Sequence, residues 1–122
     1  MDVYGHVNNA CVVTLLEEAR TALLFGEGAI RGAHTLASGV VVVELTVHYR
    51  QPLVYSASPV RVQLWVSELR AASFVLDYAV AGSDGYAVTA RTQLAPYDTT
   101  AARPRRLSPA EREFLADFQD GE

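Results

Sequence analysis

Between Asn9 and Phe25 the polar residues Thr14, Glu17, Glu18 and Thr21 fall at i, i+3, i+4 and i+7, one narrow stripe of an α-helix. Nearly everything else there is apolar, from Ala10, Cys11, Val12 and Val13 to Leu23, Leu24 and Phe25. That pattern predicts a helix buried around most of its circumference. Asn8 or Asn9 suits its N-cap, and Gly26 and Gly28 follow its end. From Val40 the period changes to two. Over Val40–Arg50, Val41, Val43, Leu45, Val47 and Tyr49 alternate with Glu44, Thr46, His48 and Arg50. Val60–Leu69 places Val60, Val62, Leu64 and Val66 together and leaves Trp65 on the other face. Ser73–Gly82 groups Phe74, Leu76, Tyr78 and Val80, and Tyr86–Ala95 groups Tyr86, Val88, Ala90 and Leu94. Gly82-Ser83-Asp84-Gly85 predicts a hairpin turn between these last two strands. Pro52 and Pro59 punctuate the first connection. Ser108-Pro109-Ala110-Glu111 combines an N-cap, a proline at the first helical position and a capping-box glutamate, so a short helix with Phe114, Leu115 and Phe118 on its apolar face closes the chain.

The order is one buried helix, four antiparallel strands and a small terminal helix, an α+β domain. A helix so largely apolar needs a sheet curled about it. A four-stranded sheet has two edges, and one of them is expected to pair with a second subunit. At 122 residues the chain holds one domain, residues 1–122. Its net charge of -4 argues against broad nucleic-acid or anionic-membrane binding. One cysteine excludes an intrachain disulfide framework, and the absence of lysine excludes Schiff-base chemistry and a P-loop lysine. There is no G-x-S-x-G elbow, and the three histidines lack metal-ligand spacing, so no metal or cofactor is expected. With no apolar run of membrane-spanning length and no signal-peptide pattern, a cytoplasmic address is the expectation.

Asp2-Val3-Tyr4-Gly5-His6-Val7-Asn8-Asn9 stands directly before the buried helix. This segment resembles the signature of the hotdog-fold thioesterases, the 4-hydroxybenzoyl-CoA thioesterase family and the plant acyl-ACP thioesterases. There a D-x-x-G or D-x-x-x-H segment leads into the central helix. His48-Tyr49-Arg50-Gln51-Pro52-Leu53 is similar to the family's exit from its first long strand. Glu68-Leu69-Arg70-Ala71-Ala72-Ser73-Phe74 is similar to the next strand junction, and Ala95-Pro96-Tyr97-Asp98 to the usual tail. The resemblance implies a hotdog fold: an antiparallel sheet curled around one long helix. Relatives carry a strand before the motif, often ending in Asp-Met-Asp. Met1 stands where that internal methionine would be, so a shortened chain lacking its first strand is expected.

The resemblance also implies chemistry: hydrolysis of an acyl-CoA or acyl-ACP thioester. Asp2 aligns with the family's catalytic carboxylate, which attacks the carbonyl or activates water. The backbone N–H near Asn9, at the positive end of the helix, is the implied oxyanion donor. His6 matches the histidine of the plant enzymes, as base or water polariser. Those enzymes have asparagine where Tyr4 stands and a Glu-Cys pair near Pro52-Leu53, so their triad is incomplete here. Tyr4, Gly5, Arg70 and Ser73 are the implied substrate-binding residues. Arg70 matches an arginine that contacts CoA phosphates, but the basic positions after it are Ala71 and Ala72 here. Asp2 and His6 are four apart, whereas hotdog hydratases place the pair five apart. The competing reading is a non-catalytic hotdog protein that binds acyl carriers or assembles with another enzyme. Either way a homodimer or homotetramer is expected, with the active site between subunits and no nucleic-acid or membrane partner. Arg103, Arg105 and Arg106 read as a solvated tail, and His34 as a loop residue.

Overall fold

Residues 9–27, 39–50, 61–82 and 85–119 are described in the computed structural model of the chain. Helix α1 (Asn9–Thr21) buries Val12 and Leu16, which the i, i+4 spacing sets on one face. Thr14, Glu17, Glu18 and Thr21 are exposed, the stripe the pattern predicts. The helix is less enclosed than that pattern implies, since Val13, Leu15 and Ala19 are only half-buried. It also does not continue as α-helix to Phe25. Ala22–Glu27 forms a π-helical turn, which carries Leu23 and Leu24 into the interior.

Five strands follow: β1 (Val40–Tyr49), β2 (Val62–Leu69), β3 (Phe74–Gly82), β4 (Gly85–Asp98) and the two-residue β5 (Arg103–Pro104). The order across the sheet is β1-β4-β3-β2, every pair is antiparallel, and β5 adds to β4. The hairpin forms as predicted: Gly82 pairs with Gly85, bracketing Ser83 and Asp84, which lie outside the described residues. Of the predicted core sets, Val60 and the Tyr86 side chain lie outside the described residues; the others share the inner face, where Val66, Phe74, Leu76, Val80, Val88 and Leu94 are fully buried against α1. Thr92 shares that face, and its buried hydroxyl has no hydrogen-bond partner.

The register shifts between Val66 and Glu68 in β2 and between Val80 and Ala81 in β3, and two further departures bear on the edges of the sheet. In β1 the register shifts between Val42 and Glu44, so Val43 is an extra residue. Val42 rather than Val41 therefore pairs with inward-facing Leu94, and the predicted Val41–Val43–Leu45 row is broken. β4 also runs past the expected stop at Pro96 to Asp98. Proline is tolerated because β3 begins only at Phe74, opposite Leu94, so no β3 carbonyl needs a donor at Pro96.

β1 starts where the chain passes against β4 at Gly39, whose carbonyl accepts the Tyr97 N–H at 2.7 Å. A Cβ on Gly39 would lie 2.4 Å from the Tyr97 carbonyl oxygen, which is backbone and cannot swing aside. Gly39→Ala is expected to lower stability by about 2 kcal/mol, a typical cost of overpacking, measured by urea unfolding.

The terminal helix α2 (Pro109–Ala116) has the predicted Ser108 cap, capping box and N-terminal proline. Phe114 and Leu115 are buried, and the Phe114 and Phe118 rings meet edge to face at 5.3 Å. The Phe118 carbonyl then accepts the Val66 N–H at 2.8 Å, covering part of the outer edge of β2.

Candidate functional site

The Asp2–Asn9 motif runs directly into α1, whose first residue is Asn9. The first turn of any α-helix presents backbone N–H groups without intrahelical acceptors, at the positive end of the macrodipole. A developing oxyanion is stabilised by donors of that kind. Asp2, Tyr4, Gly5 and His6, together with Asn8 and the Asn9 side chain, lie outside the described residues, as do Pro52-Leu53 and His34.

Arg70 and Ser73 do come together. The Arg70 N–H donates to the Ser73 carbonyl at 2.9 Å, closing a tight turn from β2 to β3. The tail braces this turn from outside: the Leu107 N–H donates to the Ala71 carbonyl at 2.9 Å, and Arg112 Nη1 donates to the Arg70 carbonyl at 2.7 Å. The Arg70 guanidinium is half-exposed and contacts Glu68, near the end of β2. A cation there remains accessible to an anionic ligand, in competition with that carboxylate.

The basic tail is not simply solvated. Arg105 donates from Nη1 and Nη2 to the Glu111 carboxylate at 2.8 and 2.7 Å, while Arg103 and Arg106 are exposed. Glu111 is fully buried and also accepts the Ser108 N–H at 2.8 Å. Hydrogen bonding to Glu111 raises the Arg105 guanidinium above the ordinary arginine value, so it stays charged.

Two constellations were not visible in the periodicity. Arg20 projects from α1 with its side chain only 15% exposed and donates to the Tyr78 hydroxyl at 3.3 Å. Its stem covers apolar surface while its head finds a polar partner. On the outer face of the sheet, Asp77 accepts from Arg91 Nε and Nη2 at 2.9 and 3.2 Å and from the Ser67 hydroxyl at 3.1 Å. The bond to Asp77 raises the Arg91 guanidinium above its ordinary value. This pair lies in a shallow concavity of about 470 Å³, edged by His48, Arg50, Thr89 and Trp65. His48 and Trp65 thus face outward, as alternation predicts. Among the described residues no three His, Cys, Asp or Glu side chains converge as a metal site, and no helix is long and apolar enough to cross a membrane.

Solved structures with this architecture include several named as thioesterases. The YbaW probable thioesterase of Escherichia coli is 28% identical and superposes with a TM-score of 0.78 over 98% of this chain and 91% of that one. A thioesterase from Thermus thermophilus, complexed with coenzyme A and zinc, is 24% identical with a TM-score of 0.78 over 100% of this chain and 88% of that one. A predicted thioesterase from Bacillus stearothermophilus, 17% identical, gives a TM-score of 0.81 over 98% and 90%. These likenesses establish the hotdog fold. No curated protein matches the chain. The model of the thioesterase-like superfamily matches residues 1–118, nearly the whole length. With the family's sequence pattern matched over nearly its whole length, the chain belongs to the thioesterase-like superfamily.

Proposed function

We propose that the chain hydrolyses an acyl-CoA or acyl-ACP thioester to the free acid and thiol. The observation that carries the reading is the position of Asn9. The motif that supplies Asp2 and His6 ends where α1 begins, beside the helix N–H groups. In the proposed reaction the Asp2 carboxylate either attacks the carbonyl carbon or takes a proton from the attacking water. The carbonyl oxygen gains charge as the new C–O bond forms, and the helix N–H near Asn9 stabilises it. The C–S bond then breaks and the thiolate leaves and is protonated. His6 polarises the water or shares the base role. If Asp2 attacks, water hydrolyses the acyl intermediate in a second step and regenerates the carboxylate.

Tyr4, Gly5, Arg70 and Ser73 are assigned to substrate binding. Coenzyme A as the carrier is supported by the Thermus thermophilus relative and by the exposure of the Arg70 guanidinium. The contact of Arg70 with Glu68, and the alanines that follow it, favour a second reading in which the chain binds acyl carriers without turnover. The two readings separate when thiol release from an acyl-CoA and binding of its non-hydrolysable thioether analogue are measured on the same preparation. Binding with turnover supports the hydrolase; binding without turnover supports the carrier-binding protein.

A further inference from the structure

The concavity on the outer face of the sheet has two unlike halves. Over β3 and β2 its charge is already matched. Arg91 donates to Asp77 through Nε and Nη2, and the Glu68 carboxylate lies 4.0 Å from Arg91 Nη1. A further anion on that side would meet two carboxylates. Over β1 the charge is open. Among the described residues Arg50 joins no ion pair, and its side chain makes only a long hydrogen bond, from Nε to the Thr89 hydroxyl at 3.4 Å. Both Nη groups stay available, and so does the Thr89 proton, because that oxygen is used there as an acceptor. His48 is exposed and stands opposite Thr89 in the β1–β4 register; its imidazole has no hydrogen-bond partner among the described residues. The far wall is Trp65, half-buried on β2 opposite Asp77. It lies two strands from Thr89, about 10 Å across the sheet. The concavity measures about 470 Å³, within the range of small-molecule sites.

We propose that this concavity binds a small monocarboxylate carrying a planar apolar group, with the carboxylate on Arg50, His48 and Thr89 and the ring against Trp65. The planar fork of a guanidinium suits a carboxylate, and a hydroxyl and an imidazole N–H beside it can serve the remaining lone pairs. The indole offers a flat apolar wall for a ring. Charge sets the orientation and the class. One uncompensated cation fits one negative charge, and Asp77 and Glu68 disfavour a dianion or a second acidic group at the Trp65 end. The site lies on the face of the sheet away from α1 and does not depend on the thioesterase reading.

Trp65 is the one tryptophan of the chain, so its fluorescence reports on this face alone. The test is a fluorescence titration with 3-phenylpropionate, beside propionate, which lacks the ring, 3-phenylpropionamide, which lacks the charge, and inorganic phosphate. The expected result is a saturable change with 3-phenylpropionate at millimolar concentration, the range of one charge-assisted contact beside one aromatic wall. Propionate, the amide and phosphate are each expected to bind at least tenfold more weakly. Arg50→Gln is expected to weaken 3-phenylpropionate at least tenfold. Arg103→Gln, an exposed change at the opposite end of the sheet, should leave it within twofold. Asp2→Asn should also leave the titration unchanged, which separates this site from a carboxylate bound beside α1. No saturable change, an equal response to the amide or to phosphate, or unaltered binding by Arg50→Gln would overturn the proposal. Circular dichroism of each variant separates lost binding from lost fold.

Discussion

Replacing Asp2 by asparagine is expected to reduce thioester hydrolysis by about two to four orders of magnitude, the range typical for a positioned proton-transfer group. Asparagine keeps the volume and much of the hydrogen bonding of aspartate. It offers neither a carboxylate nucleophile nor a base, so the loss would fall on kcat while the affinity for a thioether analogue stays within a few-fold. The helix N-terminus is unaltered by this change, and oxyanion stabilisation should leave some catalysis above the uncatalysed rate. A loss of affinity without a loss of kcat would instead place Asp2 in substrate binding. His6→Ala, read beside it, shows whether the two residues act on one step. If they do, the double variant is little worse than the more damaging single one.

The second large effect is on stability. Glu111→Ala is expected to destabilise the fold by about 3 kcal/mol, near the cost of breaking a buried ion pair. Glu111 is completely buried and accepts both Arg105 nitrogens and the Ser108 N–H. Removing it strands a guanidinium whose side chain is only 27% exposed and undoes half of a capping box. The damage would spread, because this tail braces the Arg70–Ser73 turn through Leu107 and Arg112. Glu113→Ala, an exposed change on the same helix, should lie within about 0.5 kcal/mol of the parent in urea unfolding. The Arg105 side of the pair adds no pH dependence in the ordinary range. Hydrogen bonding to Glu111 raises its pKa in the folded state above the ordinary arginine value, so its contribution is complete below that value and lost only above it.

The sheet was largely legible because period-two alternation holds between its bulges. Phe74, Leu76, Tyr78 and Val80 face the core as their spacing requires, and Trp65 faces away. The terminal helix was legible down to its cap, since Ser108, Pro109 and Glu111 each act locally. The bulge at Val43 was not. In a run of four valines every phase looks apolar, and the register is set by the partner strand. Arg20 escaped because periodicity counts an arginine as polar, whereas its long stem lets it lie under the helix against Tyr78. The Arg105–Glu111 pair escaped because a cluster of three arginines reads as solvated until a buried carboxylate six residues on is placed beside it. The start of α1 is set by local sequence, so the helix begins at Asn9 as its pattern predicts. The Glu68 contact that engages Arg70 lies beside a second register shift, between Val66 and Glu68, which the spacing of apolar residues does not announce.

The most direct test of the central claim is thiol release from a panel of benzoyl, short, medium and long acyl-CoA thioesters, with the parent chain and Asp2→Ala measured side by side. The account predicts turnover of at least one member by the parent and its loss in the variant, with thioether-analogue binding retained in both. Equal turnover by the two chains, or analogue binding with no turnover of any CoA or ACP thioester by the parent, would contradict it.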